Sequence, residues 1–98
     1  MAEPPREPAS GSAATSDRGR SEDADVLRRY YRQMMVIRVF EQRAAEMYTK
    51  AKIGGYCHLN LGEEATVVGL TAALRAGDYL FTTYREHGYA LARGAEPG

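Results

Sequence analysis

Gly54-Gly55-Tyr56-Cys57-His58-Leu59-Asn60-Leu61-Gly62-Glu63-Glu64-Ala65 joins two segments of strong helical patterning. It holds the single cysteine of the chain and one of its two histidines. The paired glycines permit backbone angles and close approaches that a residue with a Cβ resists. Gly62 then releases the chain into a second helix. The His58 imidazole lies between these glycines among apolar neighbours. It either braces the loop or titrates in the service of chemistry, and this stretch alone leaves both readings open.

On the N-terminal side, apolar residues recur at Leu27, Tyr30, Met34, Ile37, Phe40, Ala44, Met47 and Ala51. Every step is three or four residues, and Tyr31, Met35 and Tyr48 widen the stripe. The spacing predicts one long amphipathic helix. Asp23 and Asp25 suit its start, where carboxylates meet the positive end of the helix dipole. Gly54 and Gly55 are expected to stop it. Arg28, Arg32, Gln42, Glu46 and Lys50 fall on the opposite face, with Glu46 and Lys50 at a favourable i,i+4 spacing. A stripe rich in Tyr and Met reads as packing surface rather than a cofactor box. Nothing else in the chain is large enough to cover it, so another subunit or further sequence is expected against it.

On the C-terminal side, a second helix is predicted over 63–75. Glu63 and Glu64 lie in its first turn and Arg75 in its last, in agreement with the dipole. Val67, Leu70, Ala73 and Leu74 form its buried side, Gly69 allows close helix approach, and Gly77 is the expected left-handed residue beyond its end. Residues 79–83 (Tyr-Leu-Phe-Thr-Thr) predict a strand of the kind found in buried parallel sheets. Tyr84-Arg85-Glu86-His87-Gly88 follows, then a short helix over 89–93 stopped by Gly94. The implied class is α/β.

Thirteen basic residues balance thirteen acidic ones, so no net field favours nucleic acid or an anionic membrane. No apolar run approaches the ~20 residues of a membrane span. One cysteine forms no internal disulfide, which suits a reducing compartment. Residues 1–22 carry Pro4, Pro5 and Pro8 with a Ser/Gly/Ala run and no aromatic side chain, and read as a disordered leader. Its carboxylates argue against an organelle transit peptide, leaving a cytoplasmic protein as the expectation.

If 79–83 is a strand, Tyr84 and Arg85 stand just beyond its carboxyl end, where open α/β sheets bind ligands. Arg85 offers a planar fork of donors matched to phosphate oxygens, and Tyr84 adds a hydroxyl. An ordinary exposed loop is the competing reading. There is no Gly-x-Gly-x-x-Gly or P-loop pattern. The histidines and the cysteine lack zinc spacing, so no metal site is assigned. Cys57 and His58, as sequence neighbours, do not make a thiol–imidazole pair.

Three segments in order resemble a known family: Tyr30-Tyr31-Arg32-Gln33-Met34-Met35 with Ile37-Arg38, Phe40-Glu41 and Ala44-Ala45; Gly54 to Leu59 with Gly62-Glu63-Glu64-Ala65; and Thr83-Tyr84-Arg85-Glu86-His87-Gly88. Over about residues 26–98 the chain is similar to the alpha subunit of thiamine-diphosphate-dependent pyruvate dehydrogenase. That resemblance implies the N-terminal piece of a thiamine diphosphate-binding fold within residues 23–98, preceded by the leader.

The resemblance further implies that Tyr84 and Arg85 contact the cofactor diphosphate. It places His58 as the catalytic residue facing the 2-oxo acid, with Tyr84 and Arg85 also lining the substrate pocket. His87 receives no role. A beta subunit and the lipoyl domain of a dihydrolipoyl acetyltransferase are the implied partners, in a heterotetramer. The Gly-Asp-Gly segment that holds magnesium in the family, and the beta subunit's activating glutamate, do not occur in these 98 residues. The chain is therefore expected to be the front end of such a subunit, and inactive alone. Branched-chain 2-oxo acid and acetoin dehydrogenase alpha subunits are the near alternatives. The Cys57-His58-Leu59 run and Tyr84 favour the pyruvate type. A helical interaction module acting through the Tyr/Met stripe is the reading outside enzymology.

Overall fold

The computed structural model describes residues 23–98, so the expected leader over 1–22 lies outside the described residues. Three helices follow one another: α1 at Ala24–Thr49, α2 at Glu64–Ala72 and α3 at His87–Ala92. Each packs on the other two.

Helix α1 starts where its capping residue dictates. The Asp23 carboxylate accepts from the Asp25 N–H at 3.0 Å and satisfies one of the free first-turn donors. The helix ends five residues before Gly54. Ala51, at φ 57°, takes the left-handed position that glycine usually fills. The Ala51 N–H donates to the Tyr48 carbonyl and the Lys52 N–H to the Met47 carbonyl, both at 3.0 Å. This pair of bonds is a Schellman termination, so the glycine pair lies beyond a stop already made. Helix α3 ends in the same way, with Gly94 at φ 106° and bonds from Gly94 to Leu91 and from Ala95 to Ala90.

Helix α2 closes at Ala72, short of Arg75. The Arg75 N–H is taken by the Asp78 carboxylate at 2.8 Å, while the Asp78 N–H donates back to the Arg75 carbonyl. A tight turn over 75–78 thus replaces the last helical turn, and Gly77 is not left-handed. Nothing lies within 4 Å of where a Cβ of Gly69 would be. The close approach falls instead at Gly88.

The expected strand at 79–83 does not form, and no strand occurs among the described residues. Tyr79 and Phe81 are 90% and 93% exposed. β-Propensity describes fit to a paired, half-buried surface, and no other segment here offers a ladder. The described region is helices and loops, and the α/β class is not realised within it.

The apolar core is small. Ile37 of α1 meets Val67 and Val68 of α2, with Tyr30, Met34, Tyr89, Leu91 and Ala92 packed around them. Ile37 and Ala44 lie on the predicted stripe, but Leu27, Tyr31, Met35 and Tyr48 are exposed. The stripe is wider than the two short helices can cover. No described helix is long and apolar enough to cross a membrane.

Candidate functional site

Between Ile37 and Ala44, one turn from each, the buried face of α1 carries an acidic side chain. Glu41 is completely buried. Its two carboxylate oxygens reach different segments. Oε2 accepts the Asn60 N–H at 2.8 Å, and Oε1 lies 2.7 Å from Nδ1 of His87. One side chain on α1 therefore ties the 54–65 stretch to the start of α3.

Asn60 is also completely buried and completes the tie. Its Nδ2 donates to the Arg85 carbonyl and to Glu63 Oε2, each at 3.0 Å, and its Oδ1 accepts the Gly88 N–H at 2.8 Å. Arg85 returns a bond of its own, donating to the Leu59 carbonyl at 2.9 Å. No buried side-chain nitrogen or oxygen among the described residues lacks a partner. A satisfied polar network of this kind is rigid, because breaking any member exposes a desolvated group.

This network sets the geometry above it. The His58 and Tyr84 rings are 4.0 Å apart, tilted by 39°, and Tyr56 stacks on His58 at 5.6 Å. The Arg85 guanidinium carbon lies 5.8 Å from the Tyr84 ring centroid. The fold thus brings together all three predicted site residues, His58, Tyr84 and Arg85, from segments 26 residues apart. Tyr84 is 64% exposed, and Arg85 beside it is exposed as well. An exposed guanidinium beside a phenol is a donor set that suits an oxyanion such as a diphosphate.

Glu64 lies nearby on α2 and is buried, paired with Arg38 of α1. The Arg38 hydrogen bond, more than any other influence, holds the Glu64 carboxyl below the usual carboxylate range, while burial pushes it the other way. The same bond raises Arg38. The predicted Glu46–Lys50 pair forms at 3.0 Å, with Arg43 as a second partner, and these bonds lower Glu46.

Sequence reasoning missed Glu41 and Asn60 and left His87 without a role. The signal for Glu41 was available, since it occupies a core slot of the helical period at i+4 from Ile37 and i−3 from Ala44. Asn60 left no such mark. No group of three or more His, Cys, Asp or Glu among the described residues is arranged to hold a metal.

Comparison with known proteins identifies the family of the chain. The profile of the dehydrogenase E1 component family matches residues 32–97. The chain belongs to that family. It is 49% identical over 76 residues to a pyruvate dehydrogenase E1 component subunit alpha of Zymomonas mobilis, covering 76% of this chain and 22% of that protein. It is 52% identical over 64 residues to the subunit of the same name in Rhizobium meliloti, covering 65% and 18% respectively. A probable mitochondrial pyruvate dehydrogenase E1 alpha subunit of Caenorhabditis elegans is 48% identical over 67 residues, covering 68% and 17%. The chain spans about a fifth of the length of these relatives. No solved structure matches it. The resemblance read from the three motifs is thereby borne out at the level of the family and of the alpha-subunit type.

Proposed function

We propose that this chain supplies the first cofactor- and substrate-facing segments of a pyruvate dehydrogenase alpha subunit. Tyr84 and Arg85 would hold the diphosphate of thiamine diphosphate, and His58 would face the 2-oxo acid. The observation that carries the reading is the convergence of His58, Tyr84 and Arg85 on one exposed face above a buried polar clasp.

Each residue type has work suited to it. The Arg85 guanidinium neutralises phosphate charge and, tied to the Leu59 carbonyl, arrives already oriented. The Tyr84 hydroxyl adds a donor beside it. His58, stacked on Tyr56 and tilted against Tyr84, presents an imidazole able to donate to a developing oxyanion or move a proton. Thiamine diphosphate, when bound, would supply the nucleophilic carbon and the electron sink for decarboxylation of a 2-oxo acid. Magnesium ligands would come from residues other than these 98.

The proposal extends to assembly. A beta subunit would complete the site in a cytoplasmic heterotetramer, and a lipoyl domain would take the acetyl group. Residues 79–83 would become a strand when the rest of the subunit provides a neighbouring one. Their alternating exposed Tyr79 and Phe81 fit that part.

The test is to assemble the complete subunit containing this chain with its beta subunit. Thiamine-diphosphate-dependent decarboxylation is then measured with pyruvate, a branched-chain 2-oxo acid and acetoin. Preferential turnover of pyruvate is expected. Preference for either of the others reassigns the substrate, and no cofactor-dependent turnover overturns the reading.

A further inference from the structure

The clasp beneath the site contains one group whose chemistry the reading above does not use. His87 is about a third exposed at its side chain, while its Nδ1 lies 2.7 Å from the buried Oε1 of Glu41. The other Glu41 oxygen already accepts a backbone N–H from Asn60. A carboxylate oxygen at this distance pairs with an N–H on the ring nitrogen that faces it. The ring is held on a second side by Phe40, edge-on at 5.9 Å.

We propose that Glu41 is a positioning residue that fixes His87 as the Nδ1-protonated tautomer, leaving Nε2 as an acceptor for a proton of the reacting 2-oxo acid rather than a contact to the diphosphate. A neutral imidazole has one donor and one acceptor nitrogen, and the bond made by one decides the role of the other. Asn60 makes the arrangement specific. It bonds the Arg85 carbonyl and the Gly88 N–H on either side of His87 in sequence, so the backbone that carries the ring is fixed and Glu41 sets the ring's orientation upon it. Glu41 thus couples the orientation of His87 to the register between the 54–65 stretch and the 84–88 segment. The ligand-facing part rests on the proposed function, whereas the tautomer does not.

Two variants separate the parts. Glu41→Gln keeps an acceptor for the Asn60 N–H but turns an amide donor toward Nδ1, which should invert the tautomer. His87→Asn keeps a donor near the Nδ1 position and deletes Nε2. Nitrogen-15 imidazole spectra of the 98-residue chain should show Nδ1-protonated His87, and E41Q should shift it to the Nε2-protonated form. An Nε2-protonated ring in the unsubstituted chain, or a tautomer unchanged by E41Q, overturns the proposal.

In the subunit assembled with its beta partner, each variant should lower turnover by ~10-fold or more, the low end of what a misplaced proton-transfer or hydrogen-bonding group costs. Cofactor affinity should stay within ~3-fold, because a group acting mainly after binding leaves ground-state affinity alone. Unchanged turnover in both variants of an active enzyme overturns the ligand-facing role of His87. An unsubstituted assembly with no cofactor-dependent turnover instead removes the proposed function, and the spectra still decide the tautomer.

Discussion

Gly88 is in direct contact with Asn60: its N–H donates to Asn60 Oδ1 at 2.8 Å, and a Cβ at position 88 would lie 3.0 Å from the same oxygen. It would also lie 3.3 Å from Cγ2 of Ile37. The residue after His87 therefore has to be small for α3 to approach the clasp. Gly88→Ala should destabilise the chain by ~1–3 kcal/mol, the usual cost of overpacking a filled interior. Urea unfolding of the two chains measures this. A stability loss well below ~0.5 kcal/mol, the range of neutral surface changes, would show that the contact relaxes freely.

Asn60 should be less replaceable than its neutral, unremarkable side chain suggests. Asn60→Ala leaves the Arg85 carbonyl and the buried Gly88 N–H without partners. Each orphaned group costs ~1–3 kcal/mol, so a loss of at least ~2 kcal/mol is expected. Amide exchange at Gly88 reads the same event locally, and its protection should fall more than that of Val67 in the core.

Arg38 and Glu64 predict an acid sensitivity. The Glu64 carboxyl is held below its ordinary range by Arg38, so the folded state binds its proton less readily than the unfolded chain does. The pair therefore stabilises the fold above the unfolded-state value, near pH 4.5, and that contribution is lost as pH falls through the lower folded value. Denaturation midpoints measured down from pH 6 should drop below about pH 4.5. Arg38→Met should flatten that drop.

Arg85 and His58 should fail differently in the assembled subunit. Replacing Arg85 by Ala removes a phosphate-facing cation and the Leu59 bond, and should chiefly weaken thiamine diphosphate binding. Replacing His58 by Ala should lower turnover with cofactor affinity nearly intact, since an imidazole beside a reacting carbon matters most as charge develops. Cofactor dissociation constants and steady-state turnover decide it. Equal losses of affinity would make His58 a brace for its loop.

The 98-residue chain alone should bind thiamine diphosphate weakly or not at all. A pair of charge-assisted contacts supplies only about 1.5–3 kcal/mol each before ordering costs are met. Calorimetry in the presence of magnesium checks this. Micromolar binding would mean that Tyr84, Arg85 and His58 form a more complete site than their exposure indicates.

What the sequence determined by itself was local or ordered along the chain. The three-and-four spacing from Leu27 onward required α1, Asp23 marked its start, Gly94 marked the end of α3, and three motifs in succession defined the family. Those signals act between residues four positions apart or less, or reside in the residue types themselves. Tertiary structure decided the rest. Glu41 meets Asn60 across 19 residues and His87 across 46, distances over which no periodicity carries information. The same holds in reverse for 79–83, whose residues favour a strand but find no partner among those described. A helix satisfies its own backbone within one segment, whereas a strand and a buried carboxylate depend on groups that only the folded chain brings near.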